Sequence, residues 1–118
     1  MTAAPIMFFD IAGPDEQALR TFYADVFGWD CKGSAPFAPG NAVSLQGTFR
    51  SDPAEKLFYI GVPDIAATVE EIVAAGGSIE KGRFEVPGIA ALGLFFDPAG
   101  NKFGLIEMDG DELFVPGR

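Results

Sequence analysis

Short apolar runs alternate with one helical pattern in each half of the chain. Met7–Ala12 has the apolar character of a strand interrupted by Asp10, and a proline followed by acidic residues marks the start of a helix that runs to about Gly28. Apolar residues recur in that helix at spacings of three and four, which predicts one buried face, with Arg20 and Asp25 pointing outward. The residues of this face are Ala18, Leu19, Phe22, Tyr23, Val26 and Phe27.

The second half repeats the same order of elements. Leu57–Val62 has the composition of a strand, Asp64 is placed to cap a helix, and Gly76 with Gly77 ends that helix. The predicted inner stripe of the second helix consists of Ile65, Val69, Ile72 and Val73. An offset of 50 residues pairs Leu19, Phe22 and Tyr23 with Val69, Ile72 and Val73, which indicates an internal duplication.

Turn-rich segments after each helix are long enough for three short strands. The predicted strands are Trp29–Ala35, Asn41–Gln46 and Thr48–Arg50 in the first half, and Ser78–Val86, Ala90–Phe96 and Lys102–Met108 in the second. Each half is therefore predicted to be a βαβββ module of an α+β domain, at about residues 5–53 and 54–110. Residues 111–118 form an acidic tail in which Leu113, Phe114 and Val115 are expected to be exposed.

The segment from Asp97 to Glu107 predicts a hairpin. Apolar residues precede Asp97, a Pro-Ala-Gly-Asn turn follows it, and an apolar strand leads to Glu107. Glycine and asparagine tolerate the positive φ that tight turns require. Glu107 is therefore expected on a strand, in a chain that contains no histidine.

The composition indicates a single soluble domain with few candidate partners. The 118 residues are 48% apolar, which is ample for one core. Eight basic residues against seventeen acidic ones give a net charge of −9, which repels phosphate backbones, so we expect no nucleic-acid partner. The same acidity serves solubility, and it would also attract a cationic ligand.

Cys31 is the only cysteine, so no intramolecular disulfide forms and a reducing cytoplasmic location is expected. A catalytic thiol needs a base such as histidine, so we interpret Cys31 as a small apolar strand residue. The N-terminal residues lack a basic region and a long apolar run, so neither a signal peptide nor a membrane span is expected. Phosphate loops, nucleophile elbows and zinc-type spacings are also absent from the sequence.

Several motifs together resemble those of the vicinal oxygen chelate superfamily, which includes glyoxalase I, extradiol dioxygenases, methylmalonyl-CoA epimerase, and fosfomycin and bleomycin resistance proteins. The motifs are Phe22-Tyr23, Val26-Phe27-Gly28-Trp29, Val62-Pro63-Asp64-Ile65, Gly76-Gly77 and Asp97-Pro98-Ala99-Gly100-Asn101 leading to Glu107. The resemblance implies two βαβββ modules that form an open mixed β-sheet cavity with flanking helices. It also implies a homodimer, with the modules paired within one chain or across two.

The resemblance implies a depleted metal site. Glu107 matches the metal-binding glutamate of the family, whereas Phe8 and Leu57 fall at two other ligand positions and supply no donor atom. A divalent ion needs three or four donor side chains, so no cofactor is expected. A divalent metal held by Asp10, Glu107 and several waters is the alternative.

Side-chain alternation suggests where a cavity would lie. It places Phe8 with Asp10, Leu57 with Tyr59, and Phe103 with Leu105 and Glu107 on one face of their respective strands. If these are the cavity faces, Asp10, Tyr59 and Glu107 converge there. The candidate ligand-binding residues are Phe8, Asp10, Trp29, Tyr59, Phe95, Phe103 and Glu107.

Two interpretations of the carboxylates remain open. In the first interpretation, Asp10 is solvated and Glu107 lies at the water-filled mouth of a cavity. In the second, both carboxylates bind a cation or polar ligand, and burial raises the pKa of one of them enough for proton transfer.

The leading functional hypothesis is a glyoxalase-like protein that binds a small hydrophobic or amphipathic molecule without a metal; a cationic molecule would suit the negative charge. The alternative is a metal-dependent or metal-free lyase, isomerase or dioxygenase that uses Glu107, the candidate catalytic residue. A third hypothesis is association through strand edges or the tail.

Overall fold

The computed structural model describes residues 3–31 and 45–117. The predicted α+β class is confirmed, with a mixed, open β-sheet and two helices. The elements are β1 (Ile6–Gly13), α1 (Glu16–Phe27), β2 (Gln46–Ser51), β3 (Glu55–Val62), α2 (Ile65–Ala74), β4 (Ser78–Val86), β5 (Ala90–Phe96), β6 (Lys102–Asp109) and β7 (Glu112–Leu113). Within the described ranges, neither helix has the length and apolar character needed to cross a membrane.

The described residues form two compact units. The N-terminal unit contains residues 7–31 and 45–58, and the C-terminal unit contains residues 3–6 and 59–117. In the N-terminal unit β1 and β2 pair in parallel, from Phe8 opposite Gln46 to Gly13 opposite Ser51. The core of this unit contains Cys31 and Phe49 with Phe9, Ile11, Leu19, Tyr23, Ala24 and Trp29 packed around them.

The C-terminal unit contains β3 from Tyr59 onward, followed by α2, β4, β5 and β6, which is the order of elements predicted for a βαβββ module. Here β3 pairs in parallel with β6, and β5 lies antiparallel between β6 and β4. The core consists of Val62, Ile65, Phe95 and Leu105, against which Ile60, Val69, Ile72, Ile79 and Phe103 pack. This core lies between the strands and α2.

The strands predicted after α1 are only partly tested. Residues 32–44 lie outside the described residues, so most of Trp29–Ala35 and Asn41–Gln46 cannot be compared; the described residues 29–31 are not in a strand. The predicted break at Gly47 is wrong, because Gly47 lies inside β2 opposite Phe9.

Both helices begin at an aspartate cap. The Asp15 carboxylate accepts a hydrogen bond from the Ala18 backbone N–H at 3.1 Å, and Asp64 accepts one from Ala67 at 3.0 Å. Each cap satisfies a backbone donor that the first helical turn leaves without an intrahelical acceptor. The prediction that Asp64 caps the second helix is therefore confirmed.

The caps lie 49 positions apart, one fewer than the predicted offset of the repeat. With the caps aligned, Arg20 corresponds to Val69 and Tyr23 to Ile72, so the buried faces differ from the predicted ones by one residue, or about 100° of helix rotation. The predicted outward position of Arg20 is accordingly wrong, because its side chain is buried. Four large apolar residues assigned to buried stripes, Phe22, Val26, Phe27 and Val73, are 52%, 59%, 59% and 56% exposed.

The hairpin between β5 and β6 is confirmed. One carboxylate oxygen of Asp97 accepts hydrogen bonds from the backbone N–H groups of Ala99 and Asn101, both at 2.9 Å. Gly100 has a φ of 95°, a value that favours glycine. The turn therefore fixes the register that places Glu107 on β6.

The C-terminal tail is docked on the C-terminal unit. The Phe114 N–H donates to the Glu107 carbonyl at 2.9 Å, and the Gly88 N–H donates to the Pro116 carbonyl at 3.1 Å. The predicted exposure of Leu113, Phe114 and Val115 is wrong, since all three are half-buried.

Gly104 is required by the ring of Tyr59 on the neighbouring strand. A Cβ at Gly104 would lie 2.3 Å from two ring carbons of this buried tyrosine. We expect Gly104→Ala to destabilise the fold by about 1–3 kcal/mol, measured by urea unfolding. Gly82→Ala is the matched control, because no heavy atom of the described chain lies within 4 Å of a Cβ there. Equal stability of the two variants would contradict this packing.

Candidate functional site

The faces of β1 are distinguished by their contacts with α1. Phe9 and Ile11 pack in the core that also contains Leu19 of α1. Because successive side chains of a strand point to opposite faces, Phe8 and Asp10 lie on the face of β1 away from α1. The predicted shared face of Phe8 and Asp10 is therefore confirmed.

Asp10 is part of an ionic network centred on Arg50. Arg50 Nε donates to the Asp10 carboxylate at 2.7 Å, Nη1 donates to Asp52 at 2.8 Å, and Nη2 donates to Glu55. Asp10 is only 5% exposed, whereas the Arg50 side chain is 28% exposed. The interpretation of Asp10 as a solvated residue is wrong, because the carboxylate is buried against its counter-charge.

Burial and the counter-charge act on Asp10 in opposite directions. Desolvation raises the pKa of the Asp10 carboxyl above its ordinary value, and the hydrogen bond from Arg50 opposes this only in part. Desolvation lowers the pKa of Arg50, but its hydrogen bonds to Glu55, Asp52 and Asp10 hold that pKa above the ordinary arginine value. Asp10 is therefore the carboxyl group of this site that takes up a proton more readily than an ordinary aspartate.

Tyr59 and Glu107 do not share a face in the C-terminal unit. Tyr59 lies opposite Gly104, and Glu107 lies opposite Val62, three residues further along β3. An odd separation along a strand places side chains on opposite faces. Val62 and Glu107 face α2, while Tyr59 faces away from it, so the predicted common face of Tyr59 and Glu107 is wrong.

Glu107 is held by two elements besides its own strand. One carboxylate oxygen accepts the Ile65 backbone N–H at 2.9 Å, at the first residue of α2. The Arg83 guanidinium on β4 donates to the same carboxylate from Nε at 3.2 Å and from Nη2 at 3.0 Å. The Arg83 guanidinium also lies 5.6 Å from the ring centroid of Phe114 in the tail. Glu107 therefore links β6, α2 and β4.

These contacts favour the ionised form of Glu107. Hydrogen bonds from Arg83, with a smaller contribution from the Ile65 N–H, hold the pKa of the carboxyl below its ordinary value, although burial acts in the opposite direction. A carboxylate with a lowered pKa and an arginine partner is a poor proton acceptor at neutral pH.

Three further predicted lining residues pack on helix sides of the strands. Phe95 and Phe103 stack at a centroid distance of 5.9 Å in the core against α2, and Trp29 stacks on Tyr23 at 4.9 Å in the core against α1. Whether any of the predicted residues contacts a ligand stays a prediction.

The sequence reasoning missed both arginines of these networks. Arg50 and Arg83 lie on strands between residues of mixed polarity, and no short motif marks either position. The sequence offers one indirect signal. A carboxylate on an apolar strand requires a buried partner, and only eight basic residues in the chain could supply it. Cys31 is buried, and desolvation raises the pKa of its thiol, which does not favour a nucleophile.

The donor groups do not fit a divalent metal. Within the described ranges, no group of three histidine, cysteine, aspartate or glutamate side chains is arranged to hold such an ion. Glu107 is already bound by Arg83 and by the start of α2, and Asp10 by Arg50.

The fold and these sites define a class: an α+β protein with an open mixed sheet and strand-borne carboxylates paired with arginines. The chain belongs to the Glyoxalase/Bleomycin resistance protein/Dioxygenase superfamily, whose family model matches residues 6–105.

Similar proteins support the family without giving this chain a specific activity. The chain is 24% identical to the putative glyoxylase CFP32 of Mycobacterium tuberculosis over 112 residues, covering 81% of this chain and 42% of that protein. It is 26% identical to the anthracycline biosynthesis protein DnrV of Streptomyces peucetius over 145 residues, covering 93% and 50%. The chain thus spans about half the length of these relatives.

A solved structure supports the fold. Methylmalonyl-CoA epimerase from Mycobacterium tuberculosis matches with a TM-score of 0.60 and 16% identity, covering 88% of this chain and 87% of that one.

Glu107 should contribute to stability in its ionised form. Because its pKa is lower in the folded chain, this contribution is present above about pH 4 and is lost as the pH falls through the folded-state pKa. We expect Glu107→Gln to lower the free energy of unfolding by about 1 kcal/mol at pH 7, and by much less at pH 3.

Urea unfolding across this pH range measures the difference. Glu70→Gln, at an exposed position on α2, is the control and should change stability little at any pH. A Glu107→Gln effect that is absent at pH 7, or that grows as the pH falls, would contradict the assignment.

Proposed function

We propose that this protein binds a small amphipathic molecule at the face of β1 and β2 that carries Asp10 and Arg50, and that it does so without a resident divalent metal. The observation that carries the proposal is the Asp10–Arg50 pair, in which a buried carboxylate is joined to a guanidinium that remains partly exposed. Phe8 lies on the same face and supplies apolar surface. Apolar surface with a few fixed polar groups is typical of ligand sites.

The charge of the network favours a cationic ligand. Arg50 is bound by three carboxylates, those of Asp10, Asp52 and Glu55, which leaves an excess of negative charge. Asp52 is 53% exposed at its side chain and is therefore accessible to an approaching amine. A molecule with an apolar body and one ammonium group matches this surface better than an anion does.

The proposed binding predicts a preference that NMR can measure. We expect 1-naphthylmethylammonium to shift the backbone amide resonances of Asp10, Thr48 and Arg50, and 1-naphthylacetate to leave them unchanged. Asp52→Asn should weaken ammonium binding about two- to threefold at low salt, because it removes one exposed charge. Asp111→Asn is the matched control in the tail. Equal binding of both probes, or shifts confined to other residues, would contradict the proposal.

If the protein binds its ligand without a metal, titration with divalent metal ions should show no binding. After removal of bound ions with a chelator, we expect calorimetric titration with Mg²⁺, Mn²⁺, Ni²⁺ or Zn²⁺ to show no stoichiometric binding. One ion bound per chain, with an affinity that falls in Glu107→Gln, would overturn this part of the proposal and support the lyase, isomerase or dioxygenase alternative.

A metal-free isomerase is the second candidate function, and burial of Asp10 favours it. The raised pKa brings this carboxyl group closer to the range of a proton-transfer catalyst than Glu107, the candidate suggested by the sequence. The structural similarity to methylmalonyl-CoA epimerase supports testing this chemistry. The experiment measures deuterium incorporation from D₂O into methylmalonyl-CoA. Exchange that disappears in Asp10→Asn but persists in Glu107→Gln would support a base role for Asp10.

We also propose a homodimer in the cytoplasm. The relatives of about twice this length support the pairing of two copies. Light scattering at several concentrations tests the assembly, and a monomeric mass at all of them would contradict it.

A further inference from the structure

Thr48 shares the face of β1 and β2 that lies away from α1. It is opposite Asp10 in the sheet, whereas the next residue, Phe49, packs in the core against α1. Because side chains alternate along a strand, Thr48 lies on the same face as Arg50. The hydrogen bond of 2.7 Å from Arg50 Nε to the Asp10 carboxylate fixes this face independently. Thr48 therefore belongs to the binding face that Asp10 and Arg50 define.

The hydroxyl group of Thr48 is placed to accept a hydrogen bond. Its Oγ1 donates to the Phe49 carbonyl at 3.4 Å, which is long for a hydrogen bond between two oxygens. A hydroxyl oxygen also has two lone pairs that accept hydrogen bonds, and no described residue donates to those of Thr48. The side chain is half-buried. A ligand group that donates a hydrogen bond would therefore satisfy this oxygen better than a group that only accepts.

The neighbouring charges favour the same kind of ligand group. Arg50 is shared by the carboxylates of Asp10, Asp52 and Glu55, so the face carries an excess of negative charge. Negative charge attracts the hydrogen of a hydroxyl group and disfavours a carbonyl or carboxylate oxygen. Thr48 and Arg50 are two residues apart on β2, or about 6.6 Å along the strand, so one small molecule can reach both.

We propose that Thr48 selects the ligand of this face, and that the ligand is an aromatic amine that also carries a hydroxyl group. The ammonium group lies at the carboxylates around Arg50, the ring packs on Phe8, and the hydroxyl group donates a hydrogen bond to Oγ1 of Thr48. Selection by Thr48 rests on the cation site proposed for the same face, and it adds the identity of the second polar group of the ligand.

Two probes of nearly the same shape test this selection. Tyramine and 2-(4-fluorophenyl)ethylamine have the same ring and ammonium arm, but only tyramine has a hydroxyl group to donate. In NMR titrations that follow the backbone amides of Asp10 and Arg50, we expect tyramine to bind about three- to tenfold more tightly. Equal affinities at this face would overturn the selection by Thr48 and leave the cation site standing. No shift at Asp10 and Arg50 with either probe would overturn the cation site, and the selection with it.

Variants of Thr48 test the same hydrogen bond from the side of the protein. Thr48→Val keeps a β-branched side chain but removes the oxygen, and it should abolish the advantage of tyramine without changing the affinity of the fluoro compound. Thr48→Ser keeps the hydroxyl group and should retain most of the advantage. Thr21→Val makes the same change at an exposed position on α1 and should alter neither affinity. An advantage of tyramine that survives in a folded Thr48→Val variant would overturn the proposal.

Discussion

Two guanidinium groups hold the acidic side chains of the strands in place. Arg50 joins Asp10 of β1 to Asp52 and Glu55, and Arg83 joins Glu107 of β6 to β4. A carboxylate buried on a strand costs free energy unless a counter-charge and hydrogen bonds compensate for the lost water. The burial of the strand carboxylate in each unit therefore depends on its arginine. In the C-terminal unit the Arg83–Glu107 pair also contacts other elements, because Glu107 accepts a hydrogen bond from the first N–H of α2 and Arg83 lies against Phe114 of the tail.

The two pairs place their carboxylates in different electrostatic situations. Desolvation dominates at Asp10 and raises its pKa, whereas hydrogen bonds from Arg83 dominate at Glu107 and lower its pKa. Glu107 consequently has the properties of a structural link, and Asp10 those of a carboxyl group that takes up a proton more readily than an ordinary aspartate. Of the two carboxyl groups, Asp10 on the first strand is therefore a better candidate for a functional role than Glu107 on the last strand.

Much of the fold could be predicted from the sequence, because caps, turns and apolar runs act locally. Asp64, the hairpin at Asp97 and the bounds of β4 and β5 follow from such signals. The buried faces of the helices were harder to predict. The predicted repeat is one residue longer than the spacing of the two caps, and this error rotates the predicted buried stripe away from Arg20. The partners of Glu107 and Asp10 could not be predicted either, because Arg83 and Arg50 are 24 and 40 residues away from them and no periodicity connects those positions.

The most direct test of these two carboxylate environments is an NMR titration of the Asp10 and Glu107 carboxyl carbons in the intact protein. We expect the Asp10 pKa to lie above the ordinary aspartate value and the Glu107 pKa to lie below the ordinary glutamate value, and we expect the Glu107 pKa to rise towards that value in Arg83→Gln. A Glu107 pKa at or above the ordinary value, unchanged by loss of Arg83, would contradict its assignment as a structural carboxylate.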